Sequence, residues 1–219
     1  LRTSRLLGLM VVLAGSSACD SPATGGGSRG PRTRRETFDG ITVVPVDVTF
    51  SGPAASRYGE PLPHQTSPTE AAIGRELDRL GMMPDDALHR AARELARTAP
   101  DGVNVPSGLI DAVMAWAGLI GPAPRLVVVE LPSDPQGCHS TYSAACQGAV
   151  ASLVGEVGAP DTRIPPHYGV GVAKVEGGRT RLIVAVVDPM VALEPIPTAV
   201  GMGRGVQVRG RLVGARRRP

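Results

Sequence analysis

Few side chains in this sequence have reactive chemistry, and they fall into small groups. Cys138 and Cys146 stand eight residues apart in GCHSTYSAAC, while the third cysteine, Cys19, lies near the start of the chain. In an oxidising compartment the pair closes a short loop, which loop entropy values at roughly 2.5 kcal/mol. Zinc is the alternative chemistry, since His139 and His167 could join the two thiols. It is disfavoured because His139 adjoins Cys138 directly, which is not the usual ligand spacing. Ser140 and Ser143 lack a Gly-x-Ser-x-Gly elbow or any similar activating context, so neither reads as a nucleophile. His167 stands at the entrance to a Val-rich hairpin, either as a site residue or as an edge residue touching Tyr168 and solvent. Glu130 lies near the end of another apolar run.

The elements that must hold these residues are legible. Residues 167–187, HYGVGVAKVEGGRTRLIVAVV, read as a β-hairpin turning at Gly177-Gly178, where positive φ is available without a Cβ clash. Its second run is apolar on both faces, with Leu182, Val184 and Val186 on one and Ile183, Ala185 and Val187 on the other. That is the pattern of a central strand covered by helices on both sides. Residues 125–131, RLVVVEL, form a further buried strand carrying Glu130. A first helix begins at the capping box Ser67-Pro68-Thr69-Glu70, continues through Ile73, Leu77 and Leu80, and stops at Gly81. A second starts near Pro84, with Asp85 and Asp86 in its first turn. It buries Leu88, Ala91, Ala92, Leu95 and Ala99, leaving Arg90, Arg93, Glu94 and Arg97 as a solvated face and His89 part-exposed. Ser107 caps a third helix in which Trp116 serves packing, and residues 143–157 form a fourth. Residues 37–50 alternate like a strand, which Pro45 demotes to an edge. Residues 205–212 look like one more strand. It either folds back onto residues 41–50 or opens a further β-domain.

Composition narrows the function classes. With 42% hydrophobic, 20% charged and 3% aromatic residues, the chain is globular, and its core must come from Val, Leu, Ile and Ala. Scarce aromatics and a net charge of +3, with basic residues gathered only at Arg32, Arg34 and Arg35 near the start and at Arg216, Arg217 and Arg218 at the end, both in sequence that reads as disordered, argue against a nucleic-acid partner. Residues 1–19 have the three parts of an export signal: Arg2 and Arg5, a short apolar run from Leu6 to Ala14, and small residues before Cys19. The segment LAGSSAC resembles the lipobox of bacterial lipoproteins, although Ser16 stands where Leu is usual and ordinary signal cleavage also fits Ser16-Ser17-Ala18. On the first reading Cys19 is lipidated and anchors the chain to a membrane; on the second the protein is secreted. Residues 20–36 are a flexible linker.

Helices, a strand, another helix and a hairpin in this order, with three short motifs, resemble the CAP superfamily of cysteine-rich secretory, antigen 5 and pathogenesis-related proteins. The motifs are Leu88-His89-Arg90-Ala91-Ala92 with Leu95-Ala96, Ala117-Gly118-Leu119 leading to Glu130, and His167-Tyr168-Gly169-Val170-Gly171. The resemblance covers residues 67–187. It implies an α+β fold built as a three-layer α-β-α sandwich with a mainly antiparallel sheet, over residues 67–190. Residues 37–66 would supply an N-terminal strand and connection, and residues 191–219 a C-terminal extension. It also implies a cleft in which His167 matches a family histidine and Glu130 a family glutamate. The first histidine and the second glutamate of that cleft have no clear counterpart here, so a divalent metal at His167 is not favoured and no cofactor is expected. The expected function is a non-catalytic binding module of the cell envelope that takes a lipid or peptide. The alternatives are an envelope hydrolase, with His167 as base and Glu130 as its orienter, and a structural surface spacer.

Overall fold

The computed structural model describes residues 37–38, 41–42, 48–60, 65–100, 104–131, 138, 142–161 and 164–213. The signal-like segment with Cys19, the linker, Pro45, His139, Ser140, and Arg216, Arg217 and Arg218 lie outside the described residues. The chain divides into two units, Leu1–Thr49 and Phe50–Pro219. In the first, β1 (Thr37–Phe38) and β2 (Ile41–Thr42) pair antiparallel, with Phe38 opposite Ile41. At Thr37–Thr42 a short hairpin therefore stands where the start of a single strand is expected. The sequence between its arms is Asp39-Gly40, a hairpin signal strong enough to outweigh alternation across it.

The second unit holds β3 (Arg57–Tyr58), α1 (Pro68–Arg79), β4 (Met83–Pro84), α2 (Asp86–Thr98), α3 (Ser107–Ala117), β5 (Arg125–Leu131), α4 (Ala144–Val157), β6 (His167–Lys174), β7 (Thr180–Val187), β8 (Val191–Leu193), β9 (Ile196–Pro197) and β10 (Gly210–Leu212). Four strands form one sheet in the order β4-β6-β7-β5. The β4–β6 pairing is parallel and the other two are antiparallel, so the fold is α+β. As expected, β7 is interior and buried along almost its whole length. A 3₁₀ turn at Glu176–Gly178 joins it to β6, with φ of +74° at Gly177 and +72° at Gly178.

Strand alternation sorts the core. Val127, Tyr168, Val170, Leu182, Val184 and Val186 share one face, packed against Ile73 and Leu77 of α1 and Val150 and Leu153 of α4. The opposite face of β6 presents Gly169 and Gly171 to α2. A Cβ at Gly169 would land on the Leu88 carbonyl group, and one at Gly171 on that of Ala92. Helix residues four apart rise about 6 Å and strand residues two apart about 6.6 Å, so helix and strand stay in step across this contact.

The α1 cap forms as the sequence predicts: Ser67 accepts from the Glu70 amide and Glu70 from the Ser67 amide. Asp85 caps α2 by accepting from the Leu88 amide at 2.9 Å, and Ser143 caps α4. Ser107 lies inside α3, and Pro106 takes the cap position without a side-chain bond. Two expectations for α2 need correction. Glu94 is 1% exposed and His89 5% exposed, so neither belongs to a solvated face. Glu94 accepts from the Ser51 amide and hydroxyl and pairs with Arg97, because the chain at Ser51 covers that side of the helix. Trp116 packs as expected, stacked on Phe50 at 5.2 Å beneath the Arg90 guanidinium, with its indole N–H donating to Gly52 O. The C-terminal strand finds its partner locally: β10 pairs with β8 instead of with residues 41–50, and β9 pairs with β3.

Candidate functional site

His167 begins β6 opposite Val187 and beside Met83 of β4. The parallel pairing is held by Met83 N–H donating to Pro166 O and Asp85 N–H donating to Tyr168 O, both at 2.9 Å. Because those bonds fix Asp85 at the start of α2, its Oδ2 stands 3.5 Å from His167 Nδ1. Both side chains are about one-third exposed. His167 therefore has a carboxylate partner, but it is Asp85 and not Glu130.

Glu130 lies opposite Arg181, which lies opposite Ala173. It shares a sheet face with His167 but sits at the far end: from Ala173 back to His167 the strand rises roughly 20 Å, and two strand spacings add to that. The two residues do not form a cleft. Instead, Glu130 Oε1 accepts from Arg181 Nε at 2.6 Å and its Oε2 from Arg179 Nη1 at 3.1 Å. Arg181 is 0% exposed. Its guanidinium donates to Ala99 O at 2.5 Å and Pro100 O at 3.2 Å, satisfying carbonyls that the end of α2 leaves open. A buried guanidinium needs a carboxylate, and Glu130 is that carboxylate.

The edge of β6 holds a second polar group that sequence reasoning did not assemble. β4 pairs only as far as Tyr168, so the next outward-facing amides need other acceptors. Val170 N–H donates to His89 Nδ1 at 2.9 Å and Val172 N–H to Glu70 Oε1 at 3.3 Å. Glu70 is also gripped by Arg93 through two bonds of 2.7 Å. The capping box signalled Glu70 but not this further use, which depends on α1 and α2 meeting at the strand edge. Tyr168 donates its phenol proton to Asp78 Oδ1 at 2.8 Å and to Gly74 O at 3.2 Å. Burial first, and then the bond and charge of Asp78, push its pKa well above the ordinary range.

Cys138 and Cys146 are joined as a disulfide, with Cα atoms 5.7 Å apart and both residues fully buried. The bond ties the segment after β5 to the first turn of α4, and the Cys138 carbonyl accepts from the Thr69 hydroxyl. Ser143 is engaged there too, its Oγ 3.1 Å from Cys146 Sγ. Thiols joined to each other are not the thiolate ligands that the zinc alternative needs. Among the described residues no cluster of three or more His, Cys, Asp or Glu is placed to hold a metal.

On the sheet face opposite His167, at the same end, a hollow of about 250 Å³ opens between Met82, Pro166 and Val186, with Arg125, Asp161 and Asp188 at its rim. Arg125 Nη2 donates to Val157 O at 2.9 Å, so its guanidinium is fixed against the end of α4. No family model, curated protein or solved structure matches this chain. No described helix is long and apolar enough to cross a membrane.

Proposed function

We propose that this protein is an exported, CAP-like domain, tethered to the bacterial cell envelope through a lipidated Cys19, that binds peptide without catalysing its cleavage. The observation that carries the reading is the engagement of Glu130: both carboxylate oxygens serve buried or half-buried arginines, roughly 20 Å along the sheet from the histidine it would have to orient. The open hollow supplies the binding side. At about 250 Å³ it lies below the roughly 300–1,000 Å³ of pockets that enclose a drug-sized ligand, so it suits one or two side chains better than an acyl chain. Its apolar floor and its rim of one arginine and two aspartates match a peptide segment that presents both amide and charged groups. The CAP-like assignment is supported by the use of the Gly-x-Gly in its most specific motif as the seat of α2. Export is supported by the buried disulfide.

Titrating isotope-labelled protein with a panel of short peptides tests the binding. Amide shifts confined to Met82, Val186 and Asp188, and weakened about tenfold by Arg125→Ala, are expected. A panel that produces no shifts, or shifts centred elsewhere, overturns it. Labelled palmitate should enter the wild type and not Cys19→Ala. The hydrolase alternative keeps one supporting observation, the Asp85–His167 pair. Activity on peptide or ester panels that disappears in His167→Ala would favour it over the binding reading.

A further inference from the structure

We infer that the C-terminal arm, residues 190–213, is a docking surface for an anionic phospholipid bilayer. This goes beyond the peptide-binding reading and requires neither that reading nor acylation of Cys19. In the arm β8 and β10 pair, β9 between them is held on β3, and beyond β9 Arg204 N–H donates to Gly201 O at 3.1 Å to form a turn that carries Met202. Met202 is fully exposed, and Met190, Val206, Val208 and Leu212 are exposed along the same segment. Single exposed apolar residues are ordinary, but this many along one short segment mark a surface with a partner.

Charge says what that partner is. Residues 190–213 contain three arginines and one acidic residue, a net of +2, whereas residues 37–189 contain 11 basic and 17 acidic residues, a net of −6. The arm is thus opposite in sign to the body that carries it. Arg204, Arg209 and Arg211 are exposed among the apolar side chains, and Glu194 is the only acidic residue of the arm itself. Basic groups interleaved with insertable Met, Val and Leu side chains suit an interface of anionic headgroups over hydrocarbon. The segment has no aromatic residue on which bases could stack, so single-stranded nucleic acid is the poorer fit.

The test is co-sedimentation of full-length Cys19→Ser protein, which cannot be acylated, with vesicles containing phosphatidylglycerol. Binding should weaken with added salt and be much lower on pure phosphatidylcholine. Replacing Arg204, Arg209 and Arg211 together by Gln should reduce partitioning about a hundredfold, at roughly fivefold per arginine. Met202→Ser should reduce it severalfold on its own. These side chains are exposed, so unchanged thermal melting shows that any loss of binding is not misfolding. Equal binding to both vesicle types, full binding by the triple variant, or DNA binding that Met202→Ser leaves intact while vesicles are ignored would each overturn the proposal. The palmitate and peptide experiments read the earlier proposal independently.

Discussion

Arg181 shows how a charged residue can sit in an otherwise apolar strand, since its guanidinium meets Glu130 on one side and the open end of α2 on the other. Removing the carboxylate takes from a buried cation the counter-charge that Glu130 supplies. Glu130→Ala should therefore lower the unfolding free energy by roughly 3–5 kcal/mol in urea titrations, and pairing it with Arg181→Met should recover much of the loss. A Glu130→Ala protein of normal stability would contradict the structural role. Tyr168 gives a pH signature. Its phenol pKa is raised in the folded state, first by burial and then by Asp78, so its contribution is complete below the ordinary value near 10 and is lost as pH rises through the folded value. Above about pH 10, wild-type melting temperature should fall more steeply than that of Tyr168→Phe, which starts about 1–2 kcal/mol less stable because Asp78 Oδ1 and Gly74 O lose the phenol proton. Parallel pH profiles would remove the assignment.

At the scale of elements, the seat of α2 on β6 is the contact most sensitive to sequence. Gly169→Ala or Gly171→Ala places a methyl group on a helix carbonyl, where backbone must move, so each should cost about 3 kcal/mol or prevent folding. Val170→Ala, a loss of buried volume on the other face, should cost less, roughly 1–2 kcal/mol, and melting curves of the three variants decide the order. The hairpin, β5, the cap at Ser67 and the ends of α1 and α4 were legible because their signals are local: turn glycines, alternation and a capping oxygen. The buried state of His89 and Glu94 was not, since it depends on chain segments remote in sequence covering α2. The partner of His167 was misread for the same reason. Asp85 reads in the sequence as a first-turn acid of α2, and only the parallel β4–β6 pairing, two residues long, brings it beside the imidazole. The true partner of Glu130 had a visible trace, an arginine within TRLIVAVV, but no local rule connects it to the end of α2.

For the molecule as a whole, the division at residues 49 and 50 puts the four-stranded sheet, all four described helices and the disulfide within Phe50–Pro219. The described strands of Leu1–Thr49 are an isolated pair of two residues each, and a hairpin of that kind has little stability of its own. Ser51 and Gly52, which bond to Glu94 and to Trp116, fall on the larger side of the division. A chain beginning at Phe50 should therefore fold, keep the near-ultraviolet circular dichroism of Trp116 and melt in one cooperative transition close to that of the full chain. Starting instead at Pro53 removes the Ser51 bonds to buried Glu94 and the Gly52 acceptor of the indole, and should cost roughly 2–4 kcal/mol. Reduction should lower both melting temperatures by a similar amount, since the disulfide closes its loop inside the same unit and contributes about 2.5 kcal/mol. If the chain beginning at Phe50 lost its near-ultraviolet signal while the full chain kept it, the larger unit would not be the autonomous folding domain that its internal contacts define.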